Sequence, residues 1–212
     1  KRPFNKNRFH FTFRWYWDYA GGLMTDWGVH LIDYILYGMG KAVPESVMAI
    51  GGKYAFPDDD MVTPDTMTAA YDFKDFIMTW EHTIGIGLGN WKRPHGMAYI
   101  GENGTLVLDR KGWEVFPEKE RTEAVPLQAN VGVGLDLHVR NHLDCIKNNT
   151  PQKLNADINI GRNVALVAQM GNIAFRTGEK VFWNNERQQF STKTANSLIT
   201  PIYNNGYTLP RY

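Results

Sequence analysis

The 212 residues are 43% hydrophobic and 21% charged with a formal net charge of +1, a balance that leaves no electrostatic footprint for nucleic acid or an anionic membrane surface. A chain of this length buries a substantial core in one large domain or two small ones. The single cysteine, Cys145, excludes an internal disulfide framework, and no apolar run is long enough to span a bilayer.

The chain opens on Lys1 with no basic-then-apolar leader, so a leader or a whole domain upstream is expected to have been removed. Cytoplasmic and periplasmic locations are both compatible with this sequence. Residues 9–17, "FHFTFRWYW", alternate Phe9, Phe11, Phe13 and Trp15 against His10, Thr12 and Arg14, which predicts a strand. Gly21 and Gly22 break the alternation. A helix is expected from there to about Tyr37, with Val29, Ile32 and Leu36 on its buried stripe and Leu31 and Ile35 widening it. Thr25 or Asp26 suits its N-cap, and Gly38 and Gly40 suit its end.

From 44 to 117 six short segments rich in β-branched and aromatic residues are separated by Pro, Asp, Gly or Asn turns. These read as antiparallel strands, because the links are too short for helical crossovers. Residues 118–134 lack any period and read as an irregular connection. Two helices are expected at 135–147 and 157–176. The first carries Leu135, Val139, His142, Leu143 and Ile146 as its buried stripe, the second Ile160, Val164, Val167, Ala168 and Gly171. "KVFWNNERQQF" reads as a last strand, and the turn-rich tail is expected along the surface. The sum is a single α+β domain over 1–212: one large, open, mainly antiparallel sheet with helices packed on one face.

Four features offer chemistry. Asp26 and His30, four apart on one helix, share a face; the carboxylate could orient the imidazole for proton transfer near neutral pH, or the two could simply cap and pack the helix. His138 and His142 repeat the spacing but lack the glutamate of a zinc-protease helix and any placed third ligand, so no metal site is expected. Gly85, Gly87 and Gly89 have the wrong spacing for a dinucleotide turn, and no helix follows them. They read as a loop that carries Trp91, Lys92, Arg93 and His95, either facing a polar ligand or as a solvated hairpin tip. Cys145, near His142 on a buried stripe, reads as an inert thiol.

The stretch "YAGGLMTDWGVHLIDYILYGMG", with Asp26, Gly28, His30 and Asp33, resembles the start of the C-terminal domain of the glucose–fructose oxidoreductase/inositol dehydrogenase (Gfo/Idh/MocA) family. The similarity continues in "HGMAYIGENGTLVLDRKGWEVFPE" and in 138–184. The resemblance implies an NAD(P)-dependent dehydrogenase acting on a CH–OH group of a sugar, sugar acid or polyol, with His30 as acid/base and Asp26 orienting it. It further implies that the cofactor is held mainly by a Rossmann domain carrying a glycine-rich turn and a catalytic lysine. Neither occurs in these residues, so no cofactor-binding residue is assigned and the isolated chain is expected to be inactive. Arg14 and Arg93 are candidates to hold a carboxylate or phosphate. Trp15, Tyr16 and Trp17 are candidates to offer a sugar ring a stacking face, and Trp91 and His95 are substrate-binding candidates from the loop that could face a polar ligand. A homo-oligomer formed through the open sheet is expected. A non-catalytic carbohydrate-binding or assembly module, or an NAD-assisted glycoside hydrolase, are the alternatives on the same scaffold.

Overall fold

Alternating burial along the chain turns the β-rich middle of the sequence into strands, and the computed structural model describes residues 3–132, 134–200, 202–203 and 206–208. Six strands fall where the pattern predicts: β1 (Ser46–Gly52), β2 (Thr66–Asp72), β3 (Ile77–Thr83), β4 (Met97–Ile100), β5 (Gly104–Asp109) and β6 (Gly112–Pro117). A seventh, β7 (Val125–Ala129), lies in the stretch expected to be irregular, and the last segment divides into β8 (Val181–Asn184) and β9 (Gln189–Phe190). The helices are α1 (Gly22–Met39), α2 (Gly134–Lys147), α3 (Ile158–Thr177) and the short α4 (Lys193–Asn196). The α+β architecture is as expected, with the strands divided between two antiparallel sheets, in the orders β3-β2-β1-β8-β9 and β4-β5-β6-β7.

The five-stranded sheet carries the main core. Val47, Met67, Ala69, Tyr71, Met78, Trp80 and Val181 point from it onto Met24, Ile32 and Leu36 of α1 and onto Val164, Val167, Met170 and Ile173 of α3. In α1 the buried face is as predicted at Ile32 and Leu36, while Val29, Leu31 and Ile35 are half-buried flanks. The helix begins earlier than its expected caps. Gly21 is the N-cap and has no side chain to offer, so the Thr25 hydroxyl reaches back to accept from the Gly21 N–H at 3.0 Å. Both glycines are sterically required there. A Cβ on Gly21 would overlap the Asn172 amide of α3, and Gly22 has φ +64° with Thr63 against it. Gly40, in the left-handed conformation, ends the helix as expected.

The N-terminal arm is not a strand. Its residues form two 3₁₀ turns, Lys6–Arg8 and His10–Trp15. No strand edge receives the arm, so its polar groups are satisfied locally: Thr12 Oγ1 donates to the Phe9 carbonyl at 3.0 Å, and Arg14 Nε to the Phe11 carbonyl at 2.9 Å. The three-residue period stacks side chains at i and i+3, placing the Arg14 guanidinium 4.1 Å over the Phe11 ring. Asp60 clamps the arm to the 56–63 loop, accepting from Tyr16 Oη at 2.6 Å and Asn5 Nδ2 at 2.8 Å. Burial and that carboxylate push the Tyr16 hydroxyl up to about 12.

The four-stranded sheet docks on the other side of α1. Tyr99 of β4 donates to the Tyr34 carbonyl at 2.6 Å, and Gly38 leaves room for the Tyr99 ring, which a Cβ there would overlap. Its edge strand β7 pairs with β6 across a bulge between Trp113 and Val115. That strand escapes the sequence pattern because its residues beyond Val125 are exposed, so backbone pairing alone holds it.

α2 departs from expectation. Its stripe is amphipathic, yet Leu135 and Ile146 each keep 64% of their surface exposed, Val139 and Leu143 are exposed too, and only Cys145 is buried. Its main packing is on the 3₁₀ turn Pro151–Lys153, so nothing among the described residues covers the apolar face. In α3, Val164, Val167, Ala168 and Gly171 are buried as predicted, whereas Ile160, in the first turn, is exposed. The expected surface tail falls partly outside the described residues, at 201, 204–205 and 209–212. No described helix is long and apolar enough to cross a membrane.

Candidate active site

The more exposed side of α1 presents Asp26, His30, Asp33 and Tyr34, with Trp27, half-buried and packed against the main core, at its border. Asp26 and His30 lie one turn apart on one face, as their spacing dictates. They are not hydrogen-bonded to each other. The Asp26 carboxylate accepts from Arg14 Nη1 at 2.5 Å, which makes the N-terminal arm a wall of this site. His30 is exposed, makes no hydrogen bond within the described residues, and meets Trp27 edge-on with ring centroids 6.3 Å apart. Asp33 is exposed by area, but protein crowds its carboxyl on one side. This partial desolvation raises its pKa above the usual carboxylate range, while the neighbouring His30 pulls it down.

The small sheet supplies the opposite side. The His95 ring lies 4.7 Å from Trp27, and the Arg110 guanidinium sits 5.2 Å over the same indole. Three side chains, His30, His95 and Arg110, from three separate parts of the chain thus meet around Trp27.

The other expected binding residues are engaged within the fold. The Trp15 carbonyl accepts from Val62 and Thr63 N–H groups at 3.0 and 3.2 Å, and its ring is half-buried. Trp17 packs on Phe175 at 6.5 Å with the Arg176 guanidinium 5.1 Å over it. Trp91 stacks on Phe116 at 5.2 Å. Arg93 is held in an almost enclosed triad, 2.8 Å from Asp109 and in contact with Glu114. The Glu114 hydrogen bond, chief among these contacts, raises its already high pKa. Of the expected binding side chains, Arg14 meets Asp26 directly, and His95 meets Trp27, whose ring also contacts His30.

Two residues at this site escaped the sequence reading. Trp27 carried a usable signal, since it lies three before His30 on the helix and so shares its face. Arg110 sits in the "DRKG" turn between β5 and β6, a position that marks it as exposed but not as facing α1. The described residues offer no cradle for a dinucleotide's diphosphate: Gly85, Gly87 and Gly89 lead into the 3₁₀ turn Asn90–Lys92 and then β4, not into a helix N-terminus. Nor do they include any group of three or more His, Cys, Asp or Glu placed to hold a metal ion.

The family model of the oxidoreductase family C-terminal alpha/beta domain (Gfo/Idh/MocA) matches residues 1–209. The chain belongs to this family. Solved structures with the same fold include the aldose-aldose oxidoreductase from Caulobacter crescentus, complexed with glycerol, at 14% identity and a TM-score of 0.60 over 77% of this chain and 48% of that one. The WlbA dehydrogenase from Bordetella pertussis, in complex with NADH and UDP-GlcNAcA, gives 17% identity and a TM-score of 0.52 over 81% and 48%. The UDP-N-acetylglucosamine 3-dehydrogenase GnnA from Acidithiobacillus ferrooxidans gives 20% and 0.53 over 70% and 46%. The Gfo/Idh/MocA domain described here spans about half the length of these relatives. No curated protein matches the sequence.

Proposed function

We propose that this chain is the substrate-binding and oligomerising domain of an NAD(P)-dependent oxidoreductase acting on a CH–OH group of a sugar, sugar acid or polyol. The observation that carries the reading is His30: an exposed imidazole without a hydrogen-bond partner among the described residues, on a helix fixed from behind by the main core, within the motif the family match contains. Such an imidazole is free to take the proton of a substrate hydroxyl, or to return it to a carbonyl. Asp26, neutralised by Arg14, fixes the approach to that face and offers its second oxygen to a neighbouring hydroxyl. The Trp27 indole gives a sugar ring an apolar surface beside His30. A nicotinamide, held by a part of the protein beyond these 212 residues, takes or gives the hydride. The domain itself orients the substrate and moves the proton. The face of the five-stranded sheet opposite the helices, with Met48, Ile50, Ile77 and Phe182 exposed, pairs two copies of the chain.

The test is His30→Ala in the full-length protein. General acid–base catalysis supplies about 10²–10⁴-fold, so kcat should fall by at least about a hundredfold while cofactor affinity stays within about threefold. Unchanged turnover would return His30 to a structural role.

A further inference from the structure

We propose that Arg110, His95 and Trp27 form an anion-binding subsite beside His30, which takes a carboxylate or phosphate carried by the substrate. The proposal rests on the reading of His30 as the substrate-facing group and narrows the substrate to an acidic or phosphorylated sugar or polyol.

The case begins with the turn that presents Arg110. Asp109 accepts from the Lys111 and Gly112 N–H groups at 2.7 and 3.3 Å, and Gly112 takes φ +149°. From β7's end, Asn130 binds the Arg110 carbonyl through its side chain at 3.3 Å and the Lys111 carbonyl through its N–H at 2.9 Å. A turn tied at both ends fixes the direction in which the Arg110 side chain leaves the backbone. Register does the rest: Met97 pairs with Leu108, so His95 falls opposite Arg110, and both meet the same indole.

Electrostatics then decides what this group can bind. The nearest carboxylates in sequence are already committed. Asp109, with 2% of its side chain exposed, and Glu114 both neutralise Arg93, and Asp26 is paired with Arg14. Arg110 has no ion pair among the described residues, although it is exposed and fully charged. Its guanidinium lies 5.2 Å over the Trp27 ring and makes no hydrogen bond to the described residues, so its N–H edge is uncommitted. That edge is the fork that matches a carboxylate or phosphate with two parallel hydrogen bonds. His95 and His30, which both contact the same indole, add ring N–H donors. Asp33, beside His30, is the one carboxyl of α1's exposed face with no ion pair among the described residues; partial desolvation raises its pKa and His30 pulls it down. In a chain of net charge +1, this is a local concentration of unneutralised donors around a sugar-sized apolar plate.

The experiment is ¹⁹F NMR of the full-length protein labelled with fluorotryptophan, the Trp27 resonance being assigned by Trp27→Phe. It is titrated separately with glucuronate, glucose 6-phosphate and glucose. At least one of the two anions should shift the Trp27 signal saturably with at least tenfold higher affinity than glucose, and the stronger identifies carboxylate or phosphate as the natural group. Arg110→Gln should remove that tenfold advantage without altering thermal stability or weak glucose binding, and Arg110→Lys should restore part of it. Equal response to glucose and both anions, no response to any probe, or an Arg110→Gln protein that binds the anions as before would overturn the subsite. The redox reading fails separately. If His30→Ala leaves turnover intact while Arg110→Gln still abolishes anion preference, the subsite stands and the acid/base role of His30 falls.

Discussion

His82 sits on the inner face of β3 with both ring nitrogens engaged. Trp80 Nε1 donates to its Nδ1 at 2.9 Å, which leaves the proton on Nε2, 3.2 Å from the Pro64 carbonyl. Only the neutral imidazole satisfies both contacts. Burial, the dominant influence, lowers its pKa below the ordinary value near 6.5, against a smaller upward pull from Pro64. The unfolded chain therefore binds a proton at His82 before the folded one does. Stability from this residue is level above about pH 6.5 and declines as pH falls from there through the depressed folded-state pKa. Urea unfolding of the wild type and of His82→Gln should show the difference between them shrinking as pH drops from about 7 to 5. Parallel curves would show that His82 is protonated equally in both states. At this scale the sequence was informative where partners are local. Asp26 and His30 share a face because helix geometry places them there. The pairing of Asp26 with Arg14, the enclosure of Arg93 by Asp109 and Glu114, and the meeting of Arg110 with Trp27 depend on how distant segments pack, which no local pattern encodes.

Between elements, α2 and α3 differ sharply despite both being amphipathic. α3 buries eight residues, with Val167, Ala168, Met170 and Ala174 fully enclosed, and Asp157 caps its start by accepting from the Asn159 and Ile160 N–H groups. α2 buries only Cys145 and leans on the Pro151–Lys153 turn. Since local opening is easy where little apolar surface is buried, amide protons in the 212-residue chain should exchange at least about a hundredfold faster in α2 than in the second half of α3. Equal protection would mean that α2 is covered by residues outside those described. The element pattern was readable where burial alternates, as in β2, β3 and the second half of α3. It misled in the N-terminal arm, whose aromatic alternation lacks a strand to pair with. It was silent for β7, where exposure on both faces erases the period.

For the whole molecule, strand number was closer to hand than strand partnership. β8 joins β1 through Ser46–Phe182 and Val47–Val181, a pairing across most of the chain, and the link through 84–96 marks where one sheet gives way to the other. Turn chemistry along the sequence announces strand ends but not which sheet a strand joins. The outer face of β1, β3 and β8, with its exposed apolar residues, belongs to this scale too. Two copies packed through it would form an isologous interface. Sedimentation at micromolar concentration should give a dimer or a higher even-numbered assembly, and Ile50→Lys, which puts a charge at the centre of that face, should shift it to monomer with the fold intact. A wild-type monomer would remove the sheet from any role in assembly.

The seam between the two sheets has a consequence for how this protein can change. α1 is the shared wall: its buried side is locked into the Met24, Tyr71 and Met170 core, while its exposed side receives Tyr99, His95 and Arg110 from a sheet whose own buried residue, Val107, stands outside that core. Arg110 and Lys111, at the tip of the 109–112 turn, can therefore vary without disturbing the packing that fixes His30, while Asp109 stays bound to Arg93 and Gly112 keeps its φ of +149°. The main core lies on one side of α1 and the exposed turn meets it from the other. Exchanges at the tip of that turn are open to the protein, by drift or by design, at little risk to the core that fixes α1.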